Sequence, residues 1–216
     1  GRALKDGKWA LDTIDLRLFG EGKHRNVDDT PAGGGAGMVL KPNVVGAALD
    51  RALAQQKTPL PMVCLSPRGT PFTQAKARAW ANAGGVTMLC GRFEGIDQRV
   101  IDHYQLEEVS LGDFVLTGGE IAAQAMIDVT VRLLPDILGN EASIAEESHM
   151  AGLLEHPHYT RPALWNGRPI PDVLQSGHHI NIAKWRQEMS QQVTKEKRPD
   201  LWAAFQNALG KPDPKD

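Results

Sequence analysis

The residue types best suited to ligand binding lie in three short segments of the sequence. They are LSPRG (65–69), CGRFEGID (90–97) and SLGDFVLTGGE (110–120). Each combines small polar residues with Gly or Pro, and glycine is used where backbone takes unusual angles or closely approaches another group. In the third segment, glycines on both sides frame a short, strand-like apolar run, 114–116. This pattern predicts backbone that closes around a ligand or around another part of the chain.

A few side chains outside these segments could bind a metal. His156 and His158 in HPHYTRP form a candidate metal pair, but no Cys, Asp or further His accompanies them at a suitable spacing. We therefore expect RNA-facing or turn-forming histidines and no metal site.

Cys64 and Cys90 each lie in an apolar run without a CxxC partner. This predicts buried, reduced thiols and no structural zinc.

Several common catalytic motifs do not occur. The glycine run GGGAGM (33–38) has Met where a dinucleotide-binding fingerprint needs its last Gly. The sequence has no GxxxxGK[ST], GxSxG or HExxH. A P-loop nucleotidase, an α/β-hydrolase and a zinc protease of the HExxH type are therefore disfavoured.

Apolar runs and helical periods alternate along the first part of the chain, which predicts an α/β domain with a mainly parallel sheet. Ligands of such sheets bind in the loops at the carboxyl ends of the strands, where the three glycine-containing segments lie. The predicted elements are a helix over 42–56, a strand over 59–65, a turn over 66–71, a helix from Thr73 to Gly84-Gly85, a strand over 86–91, one or two strands within 107–119, and a helix over 120–134.

The charge pattern and the periodicity of the sequence change at residue 139. Residues 139–156 contain four Glu and no Lys or Arg, whereas residues 159–198 contain seven basic and three acidic residues. Amphipathic helices are predicted over 178–193 and 198–209. We predict an α/β domain over 1–138, a linker over 139–157 and a small all-helical domain over 158–216, whose positive charge suits a polyanion.

The composition is that of an ordinary globular protein. The 216 residues are 41% hydrophobic and 23% charged, with a formal net charge of −2. No apolar run approaches the ~20 residues of a membrane-spanning helix, and no secretory signal is visible, so we expect a cytoplasmic protein. The opening GRALKDGKWALDTIDL has neither Met nor a first strand, and we expect that an N-terminal segment is absent.

Six segments taken together resemble one family. They are VDDTPAGGGAGM, LSPRG, CGRFEGIDQRV, EEVSLGDFVLTGGE, GNEAS and LLEHPHYTRP. In this order and spacing they resemble the bacterial tRNA (guanine-N1)-methyltransferases of the SPOUT superfamily, and the resemblance spans essentially the whole chain. It implies a parallel sheet with a deep trefoil knot, a rare exception among folds, whose loops hold S-adenosyl-L-methionine in a bent conformation.

The resemblance also implies which residues bind the cofactor. Backbone at 111–116, together with Gly91 and the LSP loop, would hold the adenine, ribose and methionyl parts. The family often has Tyr where this chain has Phe93, so a phenol contact is missing here. The residues implied are Leu65, Ser66, Pro67, Gly91, Phe93, Glu94, Ser110, Leu111, Gly112, Asp113, Phe114, Val115, Leu116, Gly118 and Gly119.

The reaction implied is methylation of N1 of guanosine 37, just 3′ of the tRNA anticodon. Neutral guanine carries a proton on N1, so a base must remove it as the methyl moves, and negative charge then builds on O6. By resemblance the arginine that stabilises O6 is Arg132. The family's base is usually Asp, and the matching residue here is Glu147, with Glu146 beside it as an alternative.

The resemblance further implies recognition of the tRNA anticodon stem-loop by a homodimer. The knot and the arginine would come from one protomer, and the linker carboxylate and the helical domain from the other. Magnesium is compatible with this chemistry, although no dedicated site is visible. The residues expected to contact tRNA are Lys23, His24, Arg25, Asp28, Asp29, His158, Arg161, Lys184 and Arg186.

Two other functions stay open from the sequence. One is a SPOUT relative that methylates another RNA position, such as a ribose 2′-hydroxyl. Such a relative would not need both the VDDTP…GGG loop and the PHYTRP segment. The other is a non-catalytic RNA-binding module, which would have no use for an intact set of cofactor loops.

Overall fold

The computed structural model describes residues 2–137, 148–149 and 152–210. The chain divides into two compact units, Gly1–Leu138 and Gly139–Asp216. The division of the second unit into a linker, 139–157, and a helical domain stays a prediction.

The first unit contains a parallel sheet with helices, which confirms the predicted α/β class. A 3₁₀ turn, Leu16–Phe19, lies near its start. Its helices are α1 (Arg2–Lys5), α2 (Pro42–Gln55), α3 (Gln74–Asn82), α4 (Gln98–Tyr104) and α5 (Glu120–Val131). Its strands are β1 (Asp28–Asp29), β2 (Val39–Leu40), β3 (Met62–Pro71), β4 (Thr87–Cys90) and β5 (Glu107–Ser110).

The sheet has three parallel strands in the order β4-β3-β5, so β3 is central. Alternate residues of β3 enter two separate apolar clusters. Cys64 packs with residues of α2 and α4, while Val63 and Leu65 pack with residues of α3 and α5. Because neighbouring residues of a strand face opposite sides, the sheet is covered by helices on both faces. This burial on two sides explains why β3 and β4 begin as continuous apolar runs.

Strand β3 continues through the segment that the sequence predicts to be a turn, 66–71. The register of the pairing with β5 shifts between Leu65 and Thr70, after which Thr70 and Pro71 pair with Val109 and Ser110. Gly69 lies at this irregularity, where an added Cβ would be only 2.4 Å from the Glu108 carbonyl carbon. The turn prediction was wrong because pairing with a neighbouring strand outweighs local turn preference.

The apolar run 114–116 is not a strand. Only Glu107–Ser110 forms a strand in this part of the chain, and residues 111–119 form a loop. Val115 is 83% exposed and Phe114 is 54% exposed. The run resembles a strand in composition alone, since no strand among the described residues pairs with it.

The predicted long helices are confirmed, with ends that differ by a few residues. Thr73 caps α3, its hydroxyl accepting a hydrogen bond from the Lys76 N–H at 3.2 Å. Sequence analysis did not identify α4, although Asp97 caps it and accepts from the Arg99 N–H. This short helix has only two buried residues, Val100 and Ile101, so its periodic signal is weak.

The second unit contains two short strands besides its helices, so the prediction of an all-helical domain over 158–216 was wrong. The two-residue turn Asn166-Gly167 allows the segments on either side of it to pair. The elements of this unit are β6 (Leu164–Trp165), β7 (Arg168–Pro169), α6 (Asp172–Gln175), α7 (His179–Lys197) and α8 (Pro199–Leu209). The Leu154 N–H donates to the fully buried Thr194 hydroxyl of α7 at 2.8 Å. This part of the predicted linker is therefore held against a helix. Among the helices of the described ranges, none is both long and apolar enough to cross a bilayer.

Two loops of the first unit meet through their backbones. The Gly119 N–H donates to the Gly91 carbonyl at 2.9 Å, and Arg92 and Gly118 form an antiparallel bridge. A Cβ added at Gly119 would be 2.9 Å from the Cys90 Cα, whereas one added at Gly91 would meet nothing closer than Ile96 Cδ1 at 3.6 Å. Only one of these two glycines is therefore required by the close approach.

This asymmetry predicts that Gly119→Ala destabilises the fold and Gly91→Ala does not. The methyl group at position 119 must displace backbone, which we expect to lower the free energy of unfolding by about 1–3 kcal/mol. Gly91→Ala should stay within about 0.5 kcal/mol of the parent chain. Urea unfolding of both variants checks this, and equal losses would contradict the close-approach argument.

Candidate active site

A cleft of about 420 Å³ lies where β4 and β5 end and where the pairing of β3 with β5 becomes irregular after Leu65. Its walls are residues 64–68 of β3, the loop after β4, and the loop after β5 together with the start of α5. The carboxyl ends of parallel strands share one edge of a sheet, so this is where the fold predicts a ligand. The three glycine-containing segments of the sequence meet here.

All of the residues predicted to bind the cofactor line this cleft except Asp113. The lining residues among them are Leu65, Ser66, Pro67, Gly91, Phe93, Glu94, Ser110, Leu111, Gly112, Phe114, Val115, Leu116, Gly118 and Gly119. Asp113 lies in the same loop, but it does not contribute to the cleft wall. The structure therefore brings together residues that are up to 54 positions apart in sequence, from Leu65 to Gly119.

Ser110 shapes the wall after β5. It is buried, and its hydroxyl donates to the Gly112 carbonyl at 2.9 Å while accepting from the Gly112 N–H at 3.1 Å. A Cβ at Gly112 would lie 2.7 Å from the Phe114 ring. The hydrogen bonds between Ser110 and Gly112, together with the Phe114 ring beside Gly112, fix the backbone N–H and C=O groups of this loop at the cleft.

Apolar side chains are exposed around the cleft. Phe93 and Phe114 line it and are 64% and 54% exposed, and Ile121 at the start of α5 is 64% exposed. A cluster of this kind is typical of a surface that a ligand or a partner covers.

Two ion pairs border the cleft. The Arg92 Nε donates to Glu120 Oε1 at 2.9 Å, joining the loop after β4 to the first residue of α5. The pKa of Glu120 is lowered, first by a hydrogen bond from its own backbone N–H and then by one from Arg92. Arg68 binds Glu108 at 2.9 Å. Sequence analysis missed these arginines as site residues, although both stand inside the quoted motifs.

The prediction of buried, unbridged thiols is confirmed for Cys64 and holds only in part for Cys90. Cys64 is buried and Cys90 is half-buried, and neither forms a disulfide. Burial raises the pKa of the Cys64 thiol to about 12 and that of the Cys90 thiol to about 11. Both are therefore neutral at physiological pH, which makes them poor nucleophiles.

The glycine-rich loop 33–37 is joined to the cleft through Glu94. The Glu94 N–H donates to the Met38 carbonyl at 3.1 Å. Gly37 has a φ of +92°, and a Cβ there would be 2.4 Å from Glu94 side-chain atoms. Glu94 thus lines the cleft and also contacts the glycine-rich loop.

Asp28 and Asp29 form β1, which pairs with β2 next to this loop. Lys41 lies 3.6 Å from Asp29 Oδ2 and 3.2 Å from Glu21 Oε2. The pKa of Asp29 is lowered, first by the hydrogen bond from the Thr30 backbone N–H and then by the charge of Lys41. Asp29 is therefore an ionised acceptor at neutral pH.

Lys23, His24 and Arg25 lie in the turn between Glu21 and Asn26, which form an antiparallel bridge. All three side chains are exposed. The turn is close to the aspartates in sequence and belongs to the same unit, but it is not part of the cleft wall.

Of the two residues predicted to be catalytic, only Arg132 lies within the described residues. It directly follows α5, where its backbone N–H donates to the Asp128 carbonyl at 3.2 Å. It is not among the residues that line the cleft. Glu147 and its neighbour Glu146 lie outside the described residues.

The predicted tRNA contacts of the second unit are exposed. His158 lies 2.8 Å from Glu155 Oε1, and Lys184 lies 3.8 Å from Glu188 Oε1. A smaller cavity of about 190 Å³ is lined by His156, Pro157, His158, Tyr159, Leu174, Ile182 and Arg186. Arg161 is exposed and lies outside this lining.

His156 and His158 have ring centroids 4.7 Å apart, and the Trp185 ring meets His156 edge-on. His156 is buried while His158 is exposed. Within the described ranges, no three His, Cys, Asp or Glu side chains are grouped so that they could hold a metal ion.

Comparison with known proteins identifies the family. The family described as tRNA (guanine-1)-methyltransferase TrmD matches residues 1–204. A relative from Cereibacter sphaeroides strain KD131, named tRNA (guanine-N(1)-)-methyltransferase, is 64% identical over 98% of this chain and 86% of its own length. Relatives of the same name from Ruegeria pomeroyi and Brucella ovis are 63% and 55% identical, each over 95% of this chain.

The resemblance predicted from six sequence segments is thereby confirmed, and the cleft-forming loops fall within the matched residues. The chain therefore belongs to the tRNA (guanine-1)-methyltransferase family.

Proposed function

We propose that this chain is a tRNA (guanine-N1)-methyltransferase that transfers the methyl group of S-adenosyl-L-methionine to N1 of guanosine 37. The family match supports the reaction class. The observation that carries the proposal is the cleft, because the residues that the family resemblance assigns to the cofactor converge on it from three loops. A ribose methylase or a non-catalytic RNA binder is disfavoured by the family match.

The cleft suits S-adenosyl-L-methionine in size and chemistry. Its volume of about 420 Å³ is within the range of small-molecule sites. The backbone groups of 111–116 offer donors and acceptors to an adenine ring, and Glu94 offers a negative charge to a cationic ligand. When bound, the cofactor supplies a methyl group on a positively charged sulfur. We also propose that the sheet carries the trefoil knot of the SPOUT superfamily, a proposal that rests on the family match.

The protein residues would do the rest of the chemistry by proton transfer and charge stabilisation. We assign Glu147 as the base that takes the proton from guanine N1, and Arg132 as the cation that holds the charge on O6. Asp28 and Asp29 would accept hydrogen bonds from the guanine N–H groups. No step of this scheme requires a metal ion, and magnesium would act on the RNA or near the carboxylates.

We propose that the active enzyme is a homodimer whose site uses residues of both copies. One copy would contribute the cofactor cleft and Arg132, and the other Glu147 and the tRNA-binding unit. This proposal is supported by the exposed apolar side chains around the cleft, Phe93, Phe114 and Ile121. A second copy of the chain would cover them. A two-fold arrangement would bury the same surface on both copies.

The substrate assignment predicts methylation of one tRNA transcript and not of its partner. The first carries guanosine at positions 36 and 37, and the second carries adenosine at 37. With labelled S-adenosyl-L-methionine, we expect label in the first transcript alone, at N1 of guanosine. Label in both transcripts, or in a ribose, would contradict the assignment and point to another RNA position.

The base assignment predicts that Glu147→Gln lowers kcat by about 10²–10⁴-fold, the usual contribution of a general base. Glu146→Gln is the matched control, because it removes a neighbouring carboxylate, and we expect near-parental kcat. Binding of S-adenosylhomocysteine should be unchanged in both variants. A larger loss in Glu146→Gln would transfer the role to Glu146.

Mixed dimers test how the two copies share the site. If Arg132 and the base come from different copies, mixing the inactive variants Arg132→Gln and Glu147→Gln restores activity, since one site of each mixed dimer is intact. If both groups come from one copy, the mixture stays inactive. We expect restoration.

The ion pair beside the cleft predicts an effect on cofactor affinity. Exposed pairs contribute up to about 1 kcal/mol, so Glu120→Gln should weaken S-adenosylhomocysteine binding by up to about fivefold, by loosening the contact of the two loops. Arg99→Gln breaks a similar pair with Asp97 at 2.7 Å and serves as the control, because neither partner of that pair lines the cleft. Calorimetric titration checks both, and equal effects would contradict a local role.

A further inference from the structure

Residues 158–169 form an exposed arm of the second unit, with every side chain in the exposed class. The arm nevertheless ends in regular structure, because β6 and β7 pair antiparallel across the two-residue turn Asn166-Gly167. Both turn residues have positive φ, 47° and 72°. This combination is typical of the type I′ turn, whose twist matches that of the paired strands. The end of the arm is therefore a defined hairpin.

The hairpin tip, which we define as Leu164–Pro169, presents large apolar and cationic groups to solvent. Trp165 is 62% exposed, and its Cα partner across the turn is Arg168. Leu164 is 63% exposed. Neither Arg168 nor Arg161 in the same arm forms a salt bridge with any described carboxylate. A flat indole ring thus stands beside a guanidinium group that has no ionic partner within the described residues.

The charge pattern of the arm indicates the chemistry of its partner. Between Glu155 and Asp172 the sequence contains two arginines and no acidic residue. A two-fold contact whose axis passed through the arm would bring the same surface of both copies together and would place these arginines near each other. RNA instead offers phosphates to the arginines. Its unpaired bases stack on aromatic side chains and on guanidinium planes.

We propose that the hairpin tip is a stacking contact for an unpaired nucleotide of the substrate tRNA, with Trp165 against the base and Arg168 against the neighbouring phosphate. This contact is separate from the residues His158, Arg161, Lys184 and Arg186 already assigned to tRNA. It rests on the proposed function in one respect, since it takes tRNA as the substrate. The contact contributes to the affinity for RNA and takes no part in the methyl transfer, which is assigned to the cleft.

Binding of fluorescent tRNA to the full chain, saturated with S-adenosylhomocysteine, tests the proposal. One base–aromatic stack corresponds to roughly a 5- to 150-fold change in affinity, so we expect Trp165→Ala to raise the Kd for tRNA by a factor in this range. Trp165→Phe keeps an aromatic face and should stay within about threefold of the parent. Ile180→Ala removes an apolar side chain of α7 that is 86% exposed and lies outside the tip, and it should leave the Kd unchanged.

A salt titration separates the two parts of the contact. Arg168→Gln should lower the slope of log Kd against log salt by about 0.7–0.9, the value of one phosphate contact, whereas Trp165→Ala should leave the slope unchanged. The second probe is a duplex RNA in which base-paired stem replaces the unpaired loop. Trp165→Ala should bind this duplex with the same affinity as the parent does. Equal loss on this duplex would overturn the stacking assignment.

Two further outcomes would overturn the proposal without touching the proposed function. In the first, Trp165→Ala binds tRNA like the parent. In the second, it changes the molar mass measured by light scattering, which would make the tip a contact between copies. Failure of the parent chain to methylate guanosine 37 would instead reject the proposed function. The comparison of tRNA affinities between variants would remain valid in that case.

Discussion

The cleft depends on one backbone contact, the hydrogen bond from the Gly119 N–H to the Gly91 carbonyl. It holds the loop after β4 against the loop after β5 at a distance that leaves no room for a side chain at position 119. Together with the bridge between Arg92 and Gly118, it fixes the separation of the two walls. Arg92 and Glu120 add an ionic contact across the same junction.

The sheet determines where this junction forms. Because β3 is central and parallel to both neighbours, the loops that follow β4 and β5 leave the sheet at the same edge. The register shift in β3 and the close contact at Gly69 let β3 continue along β5 after Leu65. Residues 65–68 of β3 lie beside the loops that complete the cleft.

Under the proposed function, the first unit links cofactor and substrate recognition in one body. Glu94 lines the cleft and contacts Gly37 of the glycine-rich loop, and that loop leads into β2, which pairs with the aspartate-bearing β1. Occupation of the cleft and binding of a guanine base would therefore involve adjoining backbone. The hairpin tip of the second unit adds a surface whose charge and exposed indole suit RNA.

The sequence by itself determined the α/β class, the main helices, the family and most of the residues that line the cleft. Those features follow from local periodicity, capping residues and motifs that stand close together in the chain. Only the tertiary structure decided that 66–71 is strand and that 114–116 is loop, because backbone pairing depends on which segments become neighbours. The Arg92–Glu120 pair and the exclusion of Asp113 likewise depend on distances between segments, which local sequence does not encode.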